Sequence, residues 1–67
     1  MPKLSDFEKN TLEGIIHSIQ SLLANEKQQS LAKSYFESLL LPFSERLKNK
    51  NLSEYTSKIE KLKAKIY

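Results

Sequence analysis

The chain has no cysteine, no tryptophan and no valine, and its 67 residues include one glycine, one histidine and two prolines. Each scarcity excludes something. Without cysteine there is no disulfide scaffold, no thiolate zinc site and no thiol nucleophile. One glycine cannot build a phosphate-cradling loop. His17 has only Glu13, four residues earlier, as a companion at helical spacing, and one His with one Glu does not make a metal site. The longest run of large apolar residues is Leu39-Leu40-Leu41, far short of the roughly 20 needed to span a bilayer. The stretch Met1-Pro2-Lys3-Leu4-Ser5-Asp6 lacks the apolar core of a secretion signal. These features read as a cytoplasmic protein forming one helical domain over residues 1–67.

What is present is leucine and isoleucine, eleven and five residues, within a chain that is 28% charged. A domain this short hides only about 60% of the surface its unfolded chain exposes, so it is marginal unless helped. Disulfides, metals and association with another chain are the usual supports. The first two find no residues here, which leaves association.

The apolar residues recur at helical spacing. Ser5-Asp6-Phe7-Glu8 fits a capping box, in which a Ser oxygen accepts an orphan N–H and a Glu three residues on reaches back. Leu12, Ile15, Ile19 and Leu22 then form a stripe at intervals of 3, 4 and 3, widened by Ile16 and Leu23. Gly14 lies inside it and costs up to about 1 kcal/mol relative to Ala. Asn25-Glu26-Lys27-Gln28 is a second box-like cap, and a break there is favoured over one continuous helix. Leu31, Tyr35 and Leu39 form one apolar row, and Ala32, Phe36 and Leu40 another. Pro42 lacks an N–H, and in a straight helix its ring meets the carbonyl of Ser38, so it must kink the helix or start a new one. Asn51-Leu52-Ser53-Glu54 suggests a third box. Beyond it, Leu52, Tyr55, Ile59, Leu62 and Ile66 form a strict 3-4 seam of the kind that packs against another helix. The expected fold is all-α: a small antiparallel three-helix bundle, a helical hairpin plus a C-terminal helix. The helices fall at about 5–24, 26–48 and 52–66, with the middle one kinked or divided at Pro42.

No catalytic constellation emerges. The carboxylates lie mostly at helix starts, where capping accounts for them, and none forms a close pair in an apolar segment. No Ser occupies an elbow motif. The reading is a non-enzyme with no cofactor and no metal. No motif ties the chain to a family. In size and layout it is similar in kind to small bacterial helical proteins, namely needle-subunit co-chaperones, bacteriocin immunity proteins and plasmid-encoded regulators. That likeness is architectural and carries no residue across.

Two features bear on a partner. Residues 1–30 hold three Lys against four acids, whereas residues 31–67 hold eight Lys or Arg against four. Arg46, Lys58, Lys61 and Lys65 are the candidate basic patch, the three lysines sharing one helix face. Such a strip meets phosphates or acidic surfaces, although a solvated helix end is often lysine-rich for its own stability. Secondly, Tyr35, Phe36, Leu39, Leu40, Leu41, Phe43 and Leu47 fall within thirteen residues, more than one stripe of a bundle requires. Either the surplus marks a contact surface, or the kink at Pro42 turns all of it inward. The expected contact anchors are Tyr35, Phe36, Leu40 and Phe43. The expected function is a protein–protein interaction module of adaptor, chaperone or inhibitor type, burying a helix face against a helical partner or a second copy. The alternatives are a small basic nucleic-acid-binding regulator and an immunity-type inhibitor of a toxin or bacteriocin.

Overall fold

The computed structural model describes residues 3–67, all of them helix, turn or short connection. Met1 and Pro2, the start of the stretch read for a secretion signal, lie outside the described residues. Four α-helices run α1 (Asp6–Leu23), α2 (Gln29–Tyr35), α3 (Leu41–Arg46) and α4 (Ser53–Ile66). A 3-10 turn, Glu26–Gln28, leads into α2, and a π turn, Phe36–Leu40, joins α2 to α3. The result is three rods, the middle one composite. None of these helices is long and apolar enough to cross a membrane.

Each end of a rod follows from local chemistry. At the start of α1, Ser5 Oγ accepts from the Glu8 amide at 3.1 Å and Glu8 Oε1 accepts from the Ser5 amide at 2.9 Å, closing the expected box. Asn25 breaks the chain as expected: extended, it accepts the Lys27 amide at 3.0 Å and opens the 3-10 turn. The third box does not form. The cap of α4 falls on Leu52, which has no side-chain oxygen, and Asn51 accepts the Ser53 amide at 3.0 Å instead.

The middle rod resolves the role of Pro42. The Leu41 N–H reaches back five residues to the Phe36 carbonyl rather than four. This wider turn lies just where a proline ring would press on the Ser38 carbonyl in α-helical geometry, so the rod widens instead of ending. Pro42 then sits in the first turn of α3, where its missing donor is least costly.

The rods run up, down and up. Lys50, just past α3, reaches Glu8 near the start of α1, so the middle rod is antiparallel to α1. Tyr55, near the start of α4, donates to Glu13 of α1 at 3.0 Å. Lys65, near its end, lines a hollow with Gln20 and Ala24, so α4 runs parallel to α1. One core joins all three: Leu4, Leu12, Ile16, Ile19, Ala32, Phe36, Leu40, Leu47, Tyr55 and Leu62. The seam expected on α4 lies against it throughout, with Leu52, Ile59 and Ile66 half-buried.

Candidate functional site

The four expected contact anchors part company. Phe36 and Leu40 are core residues, 1% and 0% exposed, and cannot touch a partner while the bundle is folded. That corrects the sequence-based expectation, and the reason is helical phase. Ala32, Phe36 and Leu40 lie on the side of the middle rod that meets α1 and α4, whereas Leu31, Tyr35 and Leu39 lie one step around it. Tyr35 is exposed and Phe43 is half-buried. With Tyr35 stand two residues not expected as anchors, Leu31 at 41% and Leu39 at 45% exposure, and on α1 Phe7 at 75%.

These side chains share one open face. Phe7 and Phe43 line the same hollow, so the start of α1 lies beside α3. From there, a step of about 100° per residue carries Phe7, Thr11, Gly14 and Ser18 along the outer side of α1. Leu31, Ser34, Tyr35, Ser38 and Leu39 run along the same side of the middle rod. This is the side of the hairpin that α4 does not cover.

The face carries charge at the end beside Phe7 and Phe43, where Glu8, Arg46 and Lys50 line the same hollow. Lys9 lines a hollow with Asn51 and Glu54, and Glu13 and His17 line another with Lys58, so these three side chains of α1 turn toward α4. On the middle rod, Lys33 and Glu37 both meet Tyr67: the ammonium lies 5.1 Å from the ring centroid, and the carboxylate accepts from the phenol. That hydrogen bond, together with burial, raises the Tyr67 pKa above its ordinary value. The Tyr67 ring also packs edge-on against Phe36, 6.2 Å between centroids. Tyr67, itself 62% exposed, thus leans on the core from outside.

At one end of the face stand Arg46, Lys50 and Glu8. Both Glu8 oxygens lie 2.7 Å from the Lys50 ammonium. That contact, followed by the Ser5 amide, holds the Glu8 carboxyl below its usual range.

Comparison with protein-family models, characterised proteins and solved structures finds no match.

Of the expected basic patch, the three lysines lie on the single helix α4, at i, i+3 and i+7, and Arg46 stands apart from them. Arg46 lines the hollow with Phe7 and Phe43, which contains none of the three lysines. Lys58 stands over the Tyr55 ring at 5.8 Å and beside Glu13 and His17. Lys65 lies near Gln20, and Lys61 lies with Glu60 and Ser57 on the outer side of α4. Among the described residues no cluster of His, Asp or Glu is arranged to hold a metal. A signal for the open face was present in the sequence: Ser34 and Ser38 accompany the Leu31-Tyr35-Leu39 row, while the charges of that stretch, Lys33 and Glu37, stand four apart on another line of the rod.

Proposed function

We propose that this chain is a protein–protein interaction module whose working surface is the open side of the α1/middle-rod hairpin. The observation that carries the reading is the exposed row Leu31, Tyr35 and Leu39, continued by Phe7 at the end where Glu8, Arg46 and Lys50 stand. Solvated helix faces in a chain that is 28% charged ordinarily carry Lys and Glu, as α4 does. Large apolar groups left in water on such a strip are stabilised by covering them with another polypeptide. Tyr35 suits the centre of such a contact, combining a large ring with a polar tip and few rotatable bonds. The partner docks by helix-face burial, laying one or two rods along the groove between α1 and the middle rod.

Photo-crosslinking in the native host tests this. A photoreactive side chain at position 35 or 39 is expected to give a discrete protein adduct, and the same group at Ser57 or Lys61 of α4 is expected to give none. Absence of an adduct from both 35 and 39, or equal yields from α4, would refute the reading.

A further inference from the structure

We propose that the occupant of the open face is an amphipathic α-helix of a different chain, with an apolar stripe along the groove and a carboxylate at the end that meets Arg46. The inference rests on the reading of the face as a contact surface and names the chemistry of its partner.

The first argument is the end of the row. Leu31, Tyr35, Leu39, Phe43 and Arg46 follow at intervals of 4, 4, 4 and 3, so one line of the middle rod runs from apolar side chains to a cation. Arg46 stands in the hollow with Phe7 and Phe43. The other two charges there satisfy each other, both Glu8 oxygens lying 2.7 Å from the Lys50 ammonium. Glu45, beside Arg46 in sequence, is taken by Lys48 at 3.1 Å. Among the described residues no carboxylate pairs with Arg46. The face thus presents one uncompensated positive charge, set in an aromatic hollow. Covering that hollow excludes water, which strengthens the pull of the guanidinium on an acid of the partner.

The second is the choice of residue. Arg46 is the single arginine among eleven basic residues. Elsewhere the chain uses lysine, including the last turn of α4, where a cation serves the helix dipole. Arginine differs in what it recognises. Its planar fork takes a carboxylate through two parallel hydrogen bonds, and it is weakly hydrated and stacks on aromatic faces. Arginine and tyrosine concentrate binding energy at protein contacts, whereas lysine is depleted there.

The third is secondary structure. The described residues are helix, turn or short connection, so the face has no strand edge to exchange main-chain hydrogen bonds. An extended peptide laid along it would bury backbone groups unpaired, whereas a helix satisfies its own. Leu31 and Arg46 stand fifteen residues apart, roughly 22 Å at ~1.5 Å per residue, so about four helical turns cover the row. A second copy of this chain fits less well, because the acid in its own hollow, Glu8, is already clasped by Lys50.

Selection on the full chain from a displayed library of amphipathic helices, varied in the apolar stripe and in the charges at both ends, tests the proposal. Binders are expected to carry Asp or Glu at one end of the stripe. The same library selected on Arg46→Glu should yield Lys or Arg at that place instead. A peptide selected on the wild type should bind Arg46→Glu about 10-fold more weakly or worse. The same peptide with Lys in place of its acid should regain most of that loss. Leu39→Lys should weaken every binder, and Lys61→Glu, on α4, should change nothing. All three positions are exposed, so the variants should keep the helical circular dichroism of the wild type. A library that yields no binder, binders without an acid, or the same acids selected on Arg46→Glu would overturn the proposal. In each case the interaction reading still stands if positions 35 and 39 crosslink to a protein. A mass that doubles from 7.8 kDa in sedimentation equilibrium, and reverts with Leu39→Lys, would give the face to a second copy and overturn the acidic helix.

Discussion

Lys50 closes on Glu8 from forty-two residues away, its ammonium 2.7 Å from both carboxylate oxygens. Glu8 also completes the cap of α1 by accepting the Ser5 amide. One carboxylate thus starts the first helix and clasps it to the loop after α3.

Acid should open that clasp. The Glu8 carboxyl is held below its ordinary value of 4.5 by Lys50 first and the Ser5 amide second. A group whose folded pKa is depressed adds stability that is complete above the unfolded value and disappears as pH falls through the folded one. Glu8→Gln keeps a residue that can close the capping box but loses the charge. In thermal melts the variant should be less stable than wild type at neutral pH. The gap should narrow steadily as pH drops below the ordinary carboxylate range. A gap that stays constant down to the acid limit would show that Lys50 contributes nothing through charge.

Two adjacent apolar residues should behave as opposites. Phe36→Ala removes an enclosed ring and should cost about 3–5 kcal/mol, and Leu40→Ala about 2–5 kcal/mol. Domains of this size hold about 3–5 kcal/mol in total, so either variant should be largely unfolded at room temperature. Leu39→Ala, on the open face, should shift the stability of the separate subunit by no more than about 0.5 kcal/mol. Urea melts at low protein concentration measure both. Equal losses at 39 and 40 would place the core on the wrong row.

Tyr55 ties α4 to α1 through its hydroxyl, which donates to Glu13 Oε1 at 3.0 Å. Tyr55→Phe keeps the ring in the core and removes only that bond, a loss of about 1 kcal/mol. For a domain this small the melting temperature should fall by about 4–8 °C. Burial first, and the Glu13 carboxylate second, raise the Tyr55 pKa above 10.0. Because the folded value is the higher one, the stabilisation is complete below pH 10.0 and is lost as pH rises through the folded pKa. Wild type should therefore lose its advantage over the Phe variant in strong alkali. An advantage unchanged there would mean that the phenol does not ionise in the folded state.

The helices were legible because their signals are local. Ser5 and Glu8 stand three apart and cap α1 as read. The α4 seam from Leu52 to Ile66 meets the core at each expected position. The middle rod was not legible to the same depth. Two adjacent rows, 31-35-39 and 32-36-40, are both apolar, and spacing alone does not say which one turns inward. Phe36 and Leu40 were therefore grouped with Tyr35 and Phe43, although the bundle encloses the first pair. The π turn adds a residue to one turn of the rod, a change of phase that a count by threes and fours does not contain. The contacts of Glu8 with Lys50, Glu13 with Tyr55 and Glu37 with Tyr67 join residues thirty or more apart. No periodicity pairs them.

With no tryptophan, the chain leaves its near-ultraviolet spectrum to three tyrosines, and these occupy three different settings. Tyr55 lies in the core, Tyr67 leans on Phe36, and Tyr35 stands on the bare side of the hairpin. Unfolding disturbs the first two, while docking at the hairpin reaches the third. The molecule therefore carries its own optical reporters, separable by phenylalanine replacement, for whether it is folded and whether it is occupied.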